Sequence, residues 1–529
     1  MNRLLKIFER NKKQLFFVMI CTFFWGMLAH GYGFMQNSFS HDSLNEFNSA
    51  DVSNSLKIQL GRFIVPLYKA IFRTNLTLPW LIGVLALIWI GLSVFLIVKI
   101  FNIESRGFIF LVAGIFTANI TVAALAATYM HDFDCNMFAL FCAVMAVYFW
   151  KNVRWGGILG AICISLSLGI YQSYLSVTIV LVMFVCILNL MNGKTFKSVF
   201  SEGMQAIGML LCGGVLYYIA LKTALHITNI SLMGIDEDYS NSLYRMFQLT
   251  PKSGISLILG VFDECYQRLM NVISPYPGWI IQGITFILFA AVIAAIIVAF
   301  CDKRIHLSEK LLLIVLMILL PPAMNLSYIL SVGISHDLMV YAVWLFYLLA
   351  LLLVNWLERH LKNNRSQFIG KGAYFSKYIC MLLTFILLYS NVQLANVLYL
   401  KKDQEQDAYL SLMTRVVYKM ESFDRYLPGT TPVVFIGLTD QLNETIPGFE
   451  EFNEITGCWN TDVLYTPQRE RYQAYFDYIL VNRIVLADDS IWKELQESPI
   501  VAQMPSYPFD GCIAMIDDVL VVKLGDYFS

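Results

Sequence analysis

Charged residues are scarce in this 529-residue chain: Asp, Glu, Lys and Arg together make up 14% of it, against about 25% in soluble domains. Hydrophobic residues make up 58%, and the mean hydropathy is +0.62. These values exclude a disordered chain, a nucleic-acid-binding protein and an ordinary cytosolic enzyme. The composition therefore predicts a polytopic membrane protein.

Two kinds of chemical motif are also missing from the sequence. No Cys-X-X-Cys pair occurs among the eleven cysteines, so neither a zinc site nor a redox site is indicated. No glycine-rich loop that would cradle nucleotide phosphates is seen. A nucleotide-sugar site is therefore not predicted.

Long apolar runs are what the sequence does contain. Eleven of them come close to the ~20 residues that cross a bilayer. We therefore predict eleven membrane spans, at about 15–35, 78–101, 108–128, 137–150, 156–172, 174–191, 203–225, 279–300, 311–331, 339–357 and 378–398.

The distribution of Lys and Arg between the loops predicts the orientation of these spans. Nineteen basic residues fall on the side of the N-terminus, against eight in the opposite loops before residue 400. The positive-inside rule then places the N-terminus in the cytoplasm. An odd number of spans places the C-terminus outside.

The charge balance divides the chain near residue 400. Residues 1–399 carry a net charge of +10 and residues 400–529 a net charge of −11. We predict a transmembrane domain over 1–399, with long outer loops at about 36–77 and 226–278, followed by an extracytoplasmic domain over 400–529.

The second region has the patterns of a small α/β domain. Helical spacing is found at 405–425 and 468–480, a strand pattern at 433–436, and a hairpin pattern at 512–523 around Asp517-Asp518. Cys458 and Cys512 both lie in this region and are candidates for a disulfide in an oxidising compartment.

Three His-Asp pairs follow the first, third and ninth predicted spans, all at the outer membrane face: His41-Asp42, His131-Asp132 and His336-Asp337, with Asp134 close to the second pair. A carboxylate at the apolar boundary is partly desolvated, which raises its pKa and makes it a better general base. The alternative is that short polar turns use His and Asp only to stay hydrated. The three pairs together favour a functional site at this face.

The first outer loop contains a basic amphipathic segment over 53–73, with Leu and Ile on one helical face and the cations Lys57, Arg62, Lys69 and Arg73 elsewhere. Such cations are candidates for holding a lipid-linked phosphate. Arg62 is favoured because a guanidinium binds phosphate through a bidentate fork. For the lysines, headgroup anchoring is an equal alternative.

The other long outer region contributes a second cation, Arg268, within a segment over 253–274 that is too polar for a clear span and predicts an interfacial or re-entrant helix. Between two spans, Tyr171 and Tyr174 have side chains that suit stacking on sugar faces. They are equally ordinary as aromatic residues of the membrane interface.

This layout resembles the Gtr type II family of serotype-converting glucosyltransferases, which occur in enteric bacteria and their prophages. The resemblance covers nearly the full length. It rests on a basic N-terminus and first span followed by Ser40-His41-Asp42-Ser43, on Gly61-Arg62, on Tyr171-Gln172-Ser173, and on the closing Met504-Pro505-Ser506-Tyr507-Pro508, Gly511-Cys512 and Val521-Val522-Lys523-Leu524. Many members have two adjacent acidic residues in the first outer loop, and here His41 stands in place of the first.

The resemblance implies a GT-C-type glycosyltransferase in the bacterial inner membrane, with its C-terminal domain in the periplasm. Such an enzyme transfers a sugar, usually glucose, from undecaprenyl phosphate to a surface glycan, commonly lipopolysaccharide O-antigen. The implied partners are the donor lipid, the acceptor glycan, membrane lipid, and a separate carrier-lipid synthase and flippase. No cofactor and no nucleic acid are implied.

On this interpretation an acidic residue of the first outer loop is the base, and Asp42 is the leading candidate. Arg62 and Arg268 are the leading contacts for the phosphate. The residues His41, Tyr171 and Gln172 and the carboxylates Asp132, Asp134 and Asp337 are assigned to substrate binding. A divalent metal, if the reaction uses one, is assigned to the same carboxylates.

Three other functions are weighed against this one. A transporter or flippase predicts ionisable residues near the middle of spans, whereas here they cluster at one face and Lys222 is the nearest exception. An O-antigen polymerase or ligase more typically has a large outer loop late in the chain. A sensor with an outer ligand-binding tail leaves the three His-Asp pairs unexplained.

Overall fold

The computed structural model describes residues 2–36, 39–44, 50–232, 251–364, 367–437, 448, 452–453, 455–457 and 469–526. The chain is mostly helical and divides into two compact units. One, which we call the helical unit, comprises Met1–Met35, Asn54–Ala123 and Asp132–Asn396. The other, which we call the tail unit, comprises Gln36–Ser53, Ala124–His131 and Val397–Ser529.

Seventeen helices precede the first strand within the described residues. They are α1 Asn2–Met35, α2 His41–Leu44, α3 Ala50–Gln59, α4 Ile64–Phe72, α5 Pro79–Ile100, α6 Arg106–Thr117, α7 Ile120–Thr128, α8 Phe133–Asn152, α9 Gly156–Leu168, α10 Leu175–Met191, α11 Phe196–Thr228, α12 Pro251–Met270, α13 Gly278–Cys301, α14 Leu307–Met324, α15 Leu326–Leu330, α16 Leu345–Asn364 and α17 Gln367–Glu421. Short 3₁₀ turns lie at Met130–Asp132, Gln172–Tyr174, Asp337–Met339 and Tyr341–Trp344.

Nine helical segments of the described chain are long and apolar enough to cross a membrane: Asn11–Met35, Pro79–Ile100, Met130–Asn152, Gln172–Met191, Phe196–Thr228, Gly278–Cys301, Leu307–Met324, Tyr341–Leu361 and Gly372–Glu421. Each coincides with a predicted span. The other two predicted spans are a bent pair of helices and a short helix. The predicted total of eleven is therefore not confirmed, and the predicted orientation stays a prediction.

The bent pair is α6 and α7, which meet at an angle of 40°. Asn119 lies in the break, and its side chain forms hydrogen bonds with both helices. Its amide nitrogen donates to Ile115 O of α6, and its amide oxygen accepts from the Val122 N–H of α7. These bonds satisfy backbone groups that a helix end leaves unpaired. The short helix is α9, whose 13 residues extend about 20 Å, less than the ~30 Å hydrocarbon core.

The helix α13 shows how one apolar segment serves two environments. Its buried residues recur at helical spacing: Ile281, Ile284, Leu288, Val292, Ala295 and Ala299. Large apolar residues such as Phe286, Ile293 and Ile297 are exposed. Because a bilayer is as apolar as Leu or Ile, the lipid-facing side needs no polar residues. The composition of such a helix therefore does not reveal which side packs.

The tail unit contains a four-stranded sheet in the order β2-β1-β4-β3, formed by β1 Pro432–Ile436, β2 Val485–Leu486, β3 Ile513–Ile516 and β4 Val519–Lys523. The strand β1 runs parallel to both its neighbours, and β3 and β4 form an antiparallel hairpin. Asp517 and Asp518 have φ of 45° and 61°, as a two-residue hairpin turn of type I′ requires. The predicted strand and hairpin are confirmed.

The helices of the tail unit agree in part with the sequence patterns. The helix predicted at 405–425 is the last part of α17, which runs without a break from Gln367 to Glu421. The helix predicted at 468–480 is α18 Arg469–Tyr475 followed by a π-helical turn over Phe476–Leu480. The sequence patterns missed β2, α19 Asp489–Gln496 and α20 Pro499–Gln503.

The core of the tail unit is rich in aromatic residues. The rings of Phe435 and Tyr472 stack with their centroids 4.9 Å apart, and the strand residues Val434 and Val521 are buried in the same cluster. Cys512 is buried in the same core. Cys458 lies outside the described residues, so the disulfide predicted between these two cysteines stays a prediction.

Candidate functional site

The turn between α3 and α4 determines where Arg62 points. Gly61 has φ of +75°, its N–H donates to Ile58 O, and the Arg62 N–H donates to Lys57 O at 2.8 Å. These two bonds form a Schellman motif, which ends a helix and requires a residue such as glycine at the left-handed position. The Gly61-Arg62 pair seen in the sequence therefore ends helix α3 and begins the turn that leads into α4.

The cations on either side of this turn face the protein interior. Lys57 and Lys69 are 4% and 1% exposed, and both bind Asp132, with Nζ–Oδ2 and Nζ–Oδ1 distances of 2.5 Å and 2.7 Å. The apolar residues Leu67 and Ile71 of α4 are exposed instead. Neither alternative for the two lysines, a lipid-linked phosphate or headgroup anchoring, is supported, because their ammonium groups are paired with a buried carboxylate.

A second buried pair lies one helical turn further along. Arg73 donates two hydrogen bonds to Asp134, from Nε to Oδ2 at 2.9 Å and from Nη2 to Oδ1 at 3.1 Å. Burial acts to lower the pKa of Arg73, but the charge and hydrogen bonds of Asp134 outweigh it and hold that pKa above its ordinary value. Both oxygens of Asp134 are engaged, so this carboxylate holds Arg73 in place.

Arg62 is in a different situation. It is partly buried, and its guanidinium lies over the ring of Tyr171, 5.0 Å from the centroid. Its Nε has no hydrogen-bond partner among the described residues. The guanidinium lines a cavity of about 40 Å³ together with Gln172, Ser173, Ser176, Leu326, Ser327, Leu330, Ser331 and Met339. No carboxylate is among these lining residues.

Gln172 holds the turn that carries Arg62. Its side-chain nitrogen donates to Leu60 O and to the Tyr217 hydroxyl, each at 3.4 Å. That hydroxyl in turn donates to Gly61 O at 3.2 Å. Tyr171 and Gln172, both assigned to substrate binding from the sequence, therefore both contact the Arg62 segment. Tyr171 lies beneath the guanidinium, and Gln172 bonds to the backbone of the turn.

The predicted second phosphate contact, Arg268 on α12, is already bound to two carboxylates. Its Nη1 lies 2.7 Å from Asp337 Oδ1, its Nε lies 2.8 Å from Glu264 Oε1, and its Nη2 donates to Ser335 O at 2.6 Å. Burial lowers the pKa of the neighbouring His336, with the Asp337 charge acting in the opposite direction. An anion binding at Arg268 has to displace a carboxylate.

The ion-pair group formed by Arg268, Glu264 and Asp337 adjoins the cavity lined by Arg62, and Ser327 lies between them. The Ser327 hydroxyl donates to Asn325 Oδ1 at 3.0 Å and contacts Met339 O at 3.3 Å. Met339 closes the 3₁₀ turn that begins at Asp337 and also lines the cavity. Asp337 is thus connected to the cavity by its backbone, while its side chain points to Arg268.

The predicted base lies on α2, in the tail unit. Ser40 and Ser43 cap this one-turn helix reciprocally: the Ser40 N–H donates to Ser43 Oγ at 2.6 Å, and the Ser43 N–H to Ser40 Oγ at 3.2 Å. The side chains of His41 and Asp42 lie outside the described residues, so their predicted roles stay predictions.

The described residues contain no group of three or more His, Cys, Asp or Glu that could hold a metal ion. Asp132 and Asp134, two of the three carboxylates assigned to a metal if one is used, are bound by Lys57, Lys69 and Arg73. The sequence did not identify these three cations as partners of the two carboxylates. The available signal was that two carboxylates at the start of an apolar span need nearby cations.

The sequence was also compared with known proteins. The model of a protein family described as Glucosyl transferase GtrII matches residues 31–352. The match covers more than half of the chain and includes every candidate site residue named above. No curated protein and no solved structure matches the chain.

Proposed function

The chain belongs to the GtrII glucosyl transferase family, which indicates that it is a glycosyltransferase, and we propose that it takes its sugar, glucose, from a polyprenyl phosphate such as undecaprenyl phosphate. The acceptor is a surface polysaccharide such as lipopolysaccharide O-antigen. The reaction takes place at the outer face of the bacterial inner membrane, with the tail unit in the periplasm. A separate synthase and flippase supply the donor.

The state of Arg62 is the observation that supports a phosphate-bearing donor. The neighbouring cations Lys57, Lys69 and Arg73 each bind a carboxylate, whereas the cavity that Arg62 lines has no carboxylate among its described residues. A partly buried charge without a counter-ion is costly. A substrate phosphate at this guanidinium removes that cost, and the apolar residues Leu326, Leu330 and Met339 of the same cavity suit the lipid chain next to it.

The chemistry that follows is an in-line displacement with inversion at the anomeric carbon. The acceptor hydroxyl loses its proton to the Asp42 carboxylate as its oxygen bonds to that carbon. The bond from the carbon to the phosphate oxygen breaks, and the polyprenyl phosphate leaves. Arg62 stabilises the charge that accumulates on the leaving phosphate, with its guanidinium oriented by the ring of Tyr171.

The test uses the full-length protein in membranes with polyprenyl-phosphate glucose and an O-antigen acceptor. We expect a hexose to be added to the glycan, seen by mass and by linkage NMR. Arg62→Met and Asp42→Asn should each lower the rate by about 10²–10³-fold. The matched control is Arg154→Met, which removes an exposed arginine and should leave the rate unchanged.

Two results would contradict the proposal. An unmodified glycan with donor and acceptor confirmed present excludes this donor for the enzyme. Full activity of Asp42→Asn, in a protein made and inserted normally, excludes Asp42 as the base.

A further inference from the structure

Segments that are far apart in the sequence meet in the core of the tail unit. Phe39, which precedes the capped helix α2, and Leu44, the last residue of α2, are buried in the same cluster as Tyr409, Met413 and Tyr475. The rings of Phe39 and Tyr475 lie 6.0 Å apart at their centroids. The segment 39–44 is therefore packed as part of the tail unit, although it follows the first span directly in the chain.

Polar contacts join the same segments at their backbones. On α17, Gln406 donates from Nε2 to Phe39 O at 2.6 Å. One turn earlier, the buried ammonium of Lys402 donates to Ala127 O, and to Gly457 O at 3.3 Å. Phe39 and Gly457 lie outside helices and strands, and Ala127 lies in the last turn of α7, where carbonyls have no partner within the helix. A side-chain donor therefore satisfies these carbonyls when they are buried.

The segments 39–44 and 124–131 are also joined directly. The Ser40 hydroxyl donates to Thr128 O at 2.7 Å. Gly457 packs so closely that a Cβ on it would lie 2.0 Å from Thr128 Oγ1. The backbone positions of 39–44 and 124–131 are therefore determined together, by donors that come from α17 and by close packing against Gly457.

We infer that Lys402 and Gln406 are positioning residues, through which the tail unit holds the segment that carries His41-Asp42 and the segment that leads into Asp132. Asp42 follows Ser40 by two residues, and Asp132 follows Thr128 by four. The inference rests on the proposed function, in which Asp42 is the base. On this basis the tail unit is needed for the chemical step and does more than contact the acceptor glycan.

Isosteric changes on α17 test this inference by kinetics. Gln406→Glu keeps the shape but replaces the N–H donor with an oxygen that repels Phe39 O, and Lys402→Met keeps the apolar stem without the ammonium. We expect each to lower kcat about 10- to 100-fold, with the KM for the donor and the amount of inserted protein unchanged. Lys402→Arg, which retains donors, should recover part of kcat.

The matched control is Arg415→Met, on the exposed side of the same helix, where the arginine donates to Ser411 O of its own helix. It should leave kcat unchanged. A merely structural role for Lys402 and Gln406 predicts less inserted protein with a normal kcat per enzyme molecule, which would overturn the inference.

A second measurement separates this inference from the assignment of Asp42. The variant Leu44→Cys places a thiol where the native side chain is fully buried, and the native Cys512 in the core of the same unit reports whether that unit stays folded. Alkylation is followed at each position by mass spectrometry. Adding Gln406→Glu should speed alkylation at position 44 about ten-fold while Cys512 stays protected.

The outcomes are distinct. Unchanged protection at position 44 shows that Gln406 does not hold this segment and overturns the inference. Faster alkylation with unchanged kcat shows that the anchoring exists but does not serve catalysis, which also overturns it. Faster alkylation and lowered kcat, together with a fully active Asp42→Asn, support the anchoring and reject the proposed base.

Discussion

Lys57, Lys69 and Arg73 lie on the same loop as Arg62, yet they have different partners. The first three meet the buried carboxylates of Asp132 and Asp134. Among the described residues, Arg62 lies over the ring of Tyr171 and lines a small cavity that contains no carboxylate. A cation with a buried counter-ion contributes to holding the fold, whereas a cation without one is available for a ligand. The comparison therefore separates the cations that are paired within the fold from the one to which we assign the donor phosphate.

The largest effect that we expect comes from breaking a buried pair. Arg73→Met leaves Asp134 as a buried, unpaired carboxylate, and should cost about 3–5 kcal/mol in the free energy of unfolding. Replacing both partners, as Arg73→Met with Asp134→Leu, should restore most of this loss because an apolar pair carries no desolvation penalty. Thermal unfolding in detergent measures both variants.

The control for this prediction is the same substitution at the unpaired cation. Arg62→Met should not lower the free energy of unfolding by more than about 0.5 kcal/mol, because it removes a partly buried charge whose cavity contains no carboxylate. A double variant at positions 73 and 134 that is as unstable as Arg73→Met would show that this pair does more than neutralise its charges.

A smaller effect is expected when the charge at Arg62 is kept and its shape is changed. Arg62→Lys retains a cation but loses the planar fork that binds two phosphate oxygens. We expect kcat/KM for the polyprenyl-phosphate donor to fall about ten-fold, between the wild type and Arg62→Met. If Arg62→Lys were as inactive as Arg62→Met, charge alone would contribute nothing at this position.

The smallest effect concerns the ring beneath the guanidinium. Tyr171→Phe keeps the aromatic face and should leave kcat/KM within about two-fold of the wild type. Tyr171→Leu removes the cation–π contact, which is worth about 0.5–1 kcal/mol, and should lower kcat/KM about three-fold. Equal loss in both variants would indicate that the hydroxyl, not the ring face, is what Arg62 or the substrate requires.

Agreement between the sequence patterns and the structure is best where the determining interactions are local. The turn at Asp517-Asp518 depends on two residues that tolerate positive φ. The strand at Pro432–Ile436 is an apolar run between polar loops. Each of these features needs only near neighbours along the chain, which is why a sequence pattern is enough to predict it.

Agreement is weaker where length and environment act together. The predicted spans at 108–128 and 156–172 are both helical, but one bends at Asn119 and the other is the short α9. Hydropathy averages over about 20 residues and so registers neither an interruption by one polar side chain nor an early helix end. Similarly, the helix α17 continues without a break from the helical unit into the tail unit. A hydropathy window detects the end of the apolar run but not the continuity of the helix.

By itself, the sequence determined that this protein is an apolar, largely helical chain with a small α/β region at its C-terminal end, because composition and periodicity control those properties. Only the tertiary structure decided that Lys57 and Lys69 bind Asp132 while Arg62 binds no carboxylate that the structure describes. It also decided that Gln406 holds the backbone at Phe39. These pairings join residues far apart in the chain, and a lysine that faces a buried carboxylate has the same local sequence pattern as one that faces a lipid headgroup.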